Sequence, residues 1–286
     1  HMTRIAFLDV DGTILEHGSV IAPSTVTAVR KARENGHLVW LSTGRSAGDI
    51  HPEVLAIGFD GAITNGGAYA TRGGDPDEDA LIVEQPMPRA DVEALERYFE
   101  AHGIHYFLQT HGGVYASAGM GPVMTEYRRE RHEKRAAELA AEGLPPEQPL
   151  WREPRPVSEV DRDAVAKAVF VSPSTDTVAH AAAALGEGFH VIPGSIPLPG
   201  GSNGEIGQAG VTKGSAITAV LDQLGLSATD AIGIGDSWND VEMFEVVGTP
   251  VAMGNAAPEL QRLAGRVTTA VLDDGVHNAF AELGLI

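Results

Sequence analysis

At 286 residues, with a formal net charge of −19 and no cysteine, the chain is long enough for one large domain or two modest ones with ample core. It can form no disulfide and use no thiolate or cysteine-bound metal, which fits a reducing cytoplasm, and its acidity counts against nucleic acid, whose binding needs clustered Lys and Arg. No stretch of about 18 consecutive apolar residues predicts a membrane span, and no charged segment precedes an apolar one as a secretory leader requires.

His1-Met2 reads as a cloning remnant. Ile5-Ala6-Phe7-Leu8 is then a short apolar block ended by Asp9-Val10-Asp11-Gly12-Thr13, the pattern of a buried strand that stops at a turn. It delivers two aspartates to the carboxyl end of a strand, where open α/β sheets place their ligands. Crowded carboxylates repel, which favours a bound divalent cation, and a carboxylate beside such a cation can attack a phosphate. Alone, Asp-x-Asp-Gly is more often a turn. A calcium loop would need glycine at its sixth position and glutamate at its twelfth; counted from Asp9 these are Ile14 and Val20, so an EF-hand is excluded.

A helix over Thr25–Asn35 follows, with Ser24 as N-cap and Gly36 as its stop. Leu38–Leu41 is the next buried strand and ends in Ser42-Thr43-Gly44-Arg45. Hydroxyls and free backbone N–H groups at a strand-to-helix turn make an anion cradle. Ser46 also reads as an ordinary N-cap for a helix near Ala47–Ala56, which leaves Arg45 unexplained. With strand Ala62–Thr64, residues 1–84 show the βαβ alternation of an α/β fold with a doubly wound parallel sheet.

Beyond the polar loop Gly73–Asp79 the texture changes, and residues 85–198 read as an α+β insert. Helix Ala90–His102 leads into Ile104–Thr110 and Val114–Ala118, a hairpin around His111-Gly112-Gly113. A charged helix, Thr125–Glu142, precedes a loop with Pro145, Pro146, Pro149, Pro154 and Pro156; strand Ala166–Ser172, helix Thr175–Leu185 and strand Phe189–Ile192 complete the insert. The alternating charges of residues 128–135 read as a solvated helix face. No two of the eleven histidines form an HxxxH or HxH pair, so no zinc centre is expected. Tyr106, Phe107, Gln109 and His111 suit either a specificity surface or the insert's own core.

After Pro199-Gly200-Gly201 the first pattern resumes over residues 199–286. Gly210-Val211-Thr212-Lys213-Gly214 stands before the apolar helix Ala216–Leu224. A lysine in a first helical turn opposes the macrodipole, so local stability does not account for it; a phosphate there would meet both the ammonium and the helix N-terminus. Strand Ala231–Gly235 ends in Asp236-Ser237-Trp238-Asn239-Asp240. Gly233-Ile234-Gly235 would open a dinucleotide fingerprint only with a third glycine at position 238, which is Trp238, and the acids would repel a pyrophosphate. Trp238 itself reads as a packing residue at the domain boundary.

In this order, DVDGT, STGR, VTKG and GDSWND resemble the motifs of the haloacid dehalogenase superfamily of aspartate-dependent phosphotransferases, over essentially the whole chain. Ile63-Thr64-Asn65-Gly66-Gly67 and Val251–Ala256 resemble its Cof-type branch, which inserts a type IIB cap between the second and third motifs. The resemblance implies a Rossmann-like core with Asp9 as nucleophile and metal ligand. It implies Asp11 as general acid/base, its backbone carbonyl on the metal, and Asp236 as a further metal ligand. Thr43, Gly44 and Arg45 would meet phosphate or substrate, Lys213 would neutralise charge, Asn239 would lie near phosphate and Lys213, and Asp240 would support them from behind. Gly66-Gly67 and Ala264-Gly265 depart slightly from the family pattern, away from the chemical motifs.

The implied activity is Mg²⁺-dependent hydrolysis of small phosphomonoesters, sugar phosphates foremost, by a cytoplasmic protein without nucleic-acid or membrane partners. Mg²⁺, Lys213 and Arg45 would reverse the sign of the field that an acidic protein presents to a phosphate. Two rivals share the residues: a phosphomutase, and a non-catalytic sugar-phosphate sensor. A sensor needs no nucleophile and acid together, so Asp9, Asp11, Lys213 and Asp236 count against it. Phosphate release from a monophosphate without a bisphosphate activator separates hydrolase from mutase.

Overall fold

The apolar run Ile5–Leu8 becomes a central strand of a seven-stranded sheet. The computed structural model describes residues 2–16, 18–147, 152–194 and 198–286. The chain divides into two units, His1–Gln85 with Val211–Ile286, and Pro86–Gly210. In the first, Ala6 and Leu8 join one core cluster and Ile5 and Phe7 the other, all at 0% exposure. Covered on both faces, the strand has no need of polar alternation.

The sheet order is Thr249–Ala252, Ala231–Gly235, Ile5–Leu8, Leu38–Ser42, Gly61–Thr64, Tyr69–Arg72, Leu81–Glu84. The first five pair in parallel, and the last two join antiparallel at one edge. The five parallel strands form the expected doubly wound sheet, and short turns suffice to append the two antiparallel strands at its edge. From Ile5–Leu8 the chain moves outward on one side and later returns to the other, so the order reverses at the carboxyl end of this strand. Helices Pro23–Glu34 and Gly275–Glu282 cover one face; Lys213–Leu224, Val241–Val246 and Pro258–Ala264 cover the other.

Two expected elements differ in detail. The first helix begins at Pro23, whose fixed φ suits a first helical position, and its N-cap is Ala22 rather than Ser24. The helix expected near Ala47–Ala56 is two short turns, Ala47–Asp49 and Pro52–Leu55. Pro52 forces the break, since His51 before it is held out of the helical region at ψ 130° and its ring accepts the Glu53 N–H as a cap.

The second unit carries a six-stranded sheet in the order Arg155–Pro156, Val114–Ala116, His105–Thr110, Val165–Ser172, Ser202–Gln208, Phe189–Pro193. Helices Arg89–Ala101 and Thr177–Leu185 pack on its main core around Phe99, Leu108 and Phe170. Met120–Ala141 contributes Met120 to a smaller cluster with Phe107 and Val171, and starts before the expected Thr125. Its Arg129–Glu133 pair at 2.9 Å is more than half exposed, so solvent screens it and it contributes little. Tyr106 is core: its ring stacks on Phe99 at 4.8 Å and its hydroxyl donates to Glu96, which Arg162 also grips at 2.6 Å. Phe107 and Gln109 are each 8% exposed.

The insert was expected to end at 198; in the structure it extends to Gly210. Ser202–Gln208 pairs antiparallel with both Val165–Ser172 and Phe189–Pro193 and so belongs to this sheet. Its polar, glycine-rich sequence does not read as an interior strand. Part of the proline-rich loop, residues 148–151, lies outside the described residues. Trp238, expected to pack, is 59% exposed. Among the described residues no helix is long and apolar enough to cross a membrane.

Candidate active site

Asp9 leaves the sheet at the end of Ile5–Leu8, with its N–H bonded to Ile234 O at 3.0 Å and 4% of its surface exposed. Lys213 is the first residue of the helix Lys213–Leu224. Thr212 and Ser215 cap that helix reciprocally, each side chain bonded to the other's backbone N–H. The Lys213 ammonium donates to Asp9 Oδ1 at 3.0 Å and to Asp240 Oδ1 at 2.7 Å, at 1% exposure. The other oxygen of Asp240 accepts the N–H groups of Asp236 and Ser237 at 3.0 and 3.2 Å. Asp240 thus ties the lysine to the loop that ends strand Ala231–Gly235.

Asp236 enters from that loop. Gly12 has φ +82°, and a Cβ there would stand 2.0 Å from Asp236 Oδ2, so only glycine lets this carboxylate reach the turn. The Thr13 hydroxyl donates to Asp236 Oδ1 at 3.2 Å.

Asp9, Asp236 and Asp240 each place one oxygen within 4.8 Å of the others. One ammonium faces three carboxylates, and the electrostatics show the excess. Burial, reinforced by Asp240, pushes the Asp9 carboxyl well above the usual range despite Lys213. Asp236 is pushed up to about 6, chiefly by burial and against the hydrogen bond it shares with Asp9. For Lys213 burial opposes the charge, but Asp240 and Asp9 outweigh it and hold the ammonium above its ordinary value. An all-oxygen donor set with surplus negative charge suits a hard divalent cation. Both Asp240 oxygens already accept hydrogen bonds, so Asp9 and Asp236 are the carboxylates with capacity to hold one.

On the neighbouring loop, Thr43 is 1% exposed and its Oγ1 accepts the Arg45 N–H at 3.0 Å. Asn65 N and Gly66 N donate to Arg45 O and Thr43 O, which fixes this turn around Gly44. Arg45 does not stand free to meet an anion. Its Nε and Nη2 grip the two oxygens of Asp11 at 2.6 Å each, and its Nη1 donates to Asp49 O at 3.0 Å. Asn239 lies on the short turn Trp238–Asp240, where its Oδ1 accepts the Ser237 hydroxyl at 2.5 Å; no hydrogen bond joins it to Lys213 in this structure.

Sequence reasoning assigned no role to Thr13 or Asn255, whose Nδ2 donates to Gly12 O at 2.9 Å. Both lie in stretches that carried the resemblance, and that was their only signal.

Residues 6–280 match the family of haloacid dehalogenase-like hydrolases. The chain is 28% identical over 285 residues to the pyridoxal phosphate phosphatase YbhA of Escherichia coli, covering 98% of this chain and 97% of that one. To the HMP-PP phosphatase of Citrobacter koseri it is 27% identical over 275 residues, covering 91% and 87%. The solved structure of the HAD subclass IIB sugar phosphatase BT4131 superposes with a TM-score of 0.78 at 21% identity, over 99% of this chain and 100% of that one, a likeness of fold.

Proposed function

The chain belongs to the haloacid dehalogenase-like hydrolase family, and from that premise we propose that it is a Mg²⁺-dependent phosphatase of small phosphorylated metabolites, sugar phosphates foremost. The observation that carries the reading is the Lys213 ammonium held between Asp9 and Asp240, with Asp236 beside them. A buried carboxylate, a fixed cation and a second carboxylate suited to a metal are what attack on a phosphorus needs.

In the first half-reaction an Asp9 oxygen bonds to phosphorus as the ester P–O bond breaks, and Asp11, protonated and turned away from the Arg45 fork that occupies both its oxygens in this structure, gives its proton to the leaving alcohol. In the second, water attacks the aspartyl-phosphate, Asp11 takes the water's proton, and Asp9 is released with inorganic phosphate. Lys213 neutralises charge on the transferring group, and the Thr43 hydroxyl keeps its own O–H to donate to it. Mg²⁺ on Asp9, Asp236 and the Asp11 carbonyl would supply charge stabilisation for the phosphoryl oxygens. Within the same proposal, Pro86–Gly210 is the type IIB cap that selects the substrate.

A phosphomonoester screen with Mg²⁺ and EDTA arms tests this reading. We expect the highest kcat/KM on a phosphorylated sugar, polyol or small cofactor, silence in EDTA, recovery on adding Mg²⁺, and poor support by Ca²⁺, whose looser coordination misaligns an in-line attack. Preference for phosphopeptides over every small metabolite, or full activity in EDTA, would overturn it.

A further inference from the structure

Gly12 follows Asp11 directly, and a glycine leaves the turn free to take many backbone directions. The turn is closed by its own backbone bonds, Gly12 N to Leu15 O at 2.8 Å and Thr13 N to Val10 O at 3.2 Å, and is braced further from outside. Thr13 is tied to Asp236, and Arg45 grips the Asp11 carboxylate. A further restraint from outside the turn comes from Asn255, which lies outside the four chemical motifs and clamps the Gly12 carbonyl at 2.9 Å.

The loop that carries Asn255 is braced. Met253 N bonds to Gly235 O at 2.9 Å and Gly254 N to Thr269 O at 3.2 Å. Gly254 runs so close to residues 268–270 that a Cβ would lie 2.9 Å from Thr268 O and Ala270 N. Gln261 Nε2 donates to the carbonyls of Gly254 and Ala256 at 3.1 Å each, with Met253 O at 3.4 Å. From this frame the exposed Asn255 extends its amide across 243 residues of sequence to one backbone oxygen.

We propose that Asn255 is a positioning residue for the acid/base Asp11: it acts through the Gly12 peptide and touches no reacting atom. The assignment rests on the role given to Asp11 above. Without the clamp the Gly12 carbonyl loses its tie to the Asn255 loop, and misplacement of Asp11 by about 1 Å is enough to cost about a hundredfold in rate. The loss should fall on proton delivery to the leaving group and spare phosphate binding.

The test compares kcat/KM, which reports transfer to Asp9, for an aliphatic phosphomonoester and for p-nitrophenyl phosphate, whose leaving group needs little proton help. In Asn255→Ala we expect a loss of about ten- to a hundredfold on the aliphatic ester, about twofold or less on p-nitrophenyl phosphate, and competitive inhibition by inorganic phosphate unchanged within about twofold. Should that variant fail to fold, the isosteric Asn255→Asp lacks the N–H donors and makes the same comparison. Equal losses on both esters, no loss on either, or weakened phosphate inhibition overturns the assignment. Asp11→Asn is the reference. If it discriminates between the esters and the Asn255 variant does not, the positioning role alone fails; if Asp11→Asn does not discriminate, the acid/base reading fails and takes this inference with it.

Discussion

Asp9→Asn should leave a folded protein whose turnover falls by at least about a thousandfold, the scale of losing a nucleophile. Asparagine copies the shape of aspartate, so the 4%-exposed site keeps its packing, and Lys213 keeps Asp240 as a partner. What disappears is the attacking oxygen's charge and a carboxylate able to hold a cation. The electrostatics also set the sign of the stability change. A carboxyl held above its ordinary pKa is one whose charge the folded state disfavours, so neutralising it at pH 7 removes a strain that offsets the lost Lys213 contact. The melting temperature without metal should match or exceed that of the wild type, checked by calorimetry beside a steady-state assay. Retention of a tenth of the wild-type rate would rule out Asp9 as nucleophile.

Lys213→Met should damage both activity and fold. Its ammonium is the counter-charge that Asp9 and Asp240 hold in common, and Asp240 is 0% exposed. Removing it leaves buried carboxylates unpaired, which costs on the order of 3 kcal/mol. Turnover should fall at least about a hundredfold through lost charge stabilisation. Lys213→Arg is not conservative here, since a planar fork cannot reproduce a point charge held between two single oxygens. Added Mg²⁺ should recover part of the lost stability in Lys213→Met, because a cation on Asp9 and Asp236 relieves the same crowding. A variant as stable as the wild type would show that the lysine is not the counter-charge of this cluster.

What could be read from the chain alone followed from physical conflict within the sequence. Asp9 and Asp11 stood out because charges end an apolar strand, and Lys213 because a cation at a helix N-terminus works against its own helix. The sheet's central strands were legible from unbroken apolar runs. Ser202–Gln208 was not, because its place as an interior strand rests on pairing with two partners and not on its own polar composition. The clasp of Arg45 on Asp11 and the reach of Asn255 to Gly12 leave no local pattern either, since each joins residues far apart in sequence. Pro52 did carry a local signal for the break in the helix expected near Ala47–Ala56.

In the proposed mechanism phosphorus passes through a covalent bond to Asp9. Asp11→Asn treated with p-nitrophenyl phosphate and Mg²⁺ should accumulate that bond, because the good leaving group departs with little acid help while water is no longer deprotonated. Acid quenching, borohydride reduction of the acyl phosphate and peptide mass spectrometry should then find homoserine at position 9, and only with Mg²⁺ and substrate present. An unmodified Asp9 during rapid release of nitrophenol, or the phosphoryl group on a serine or histidine instead, would contradict the account.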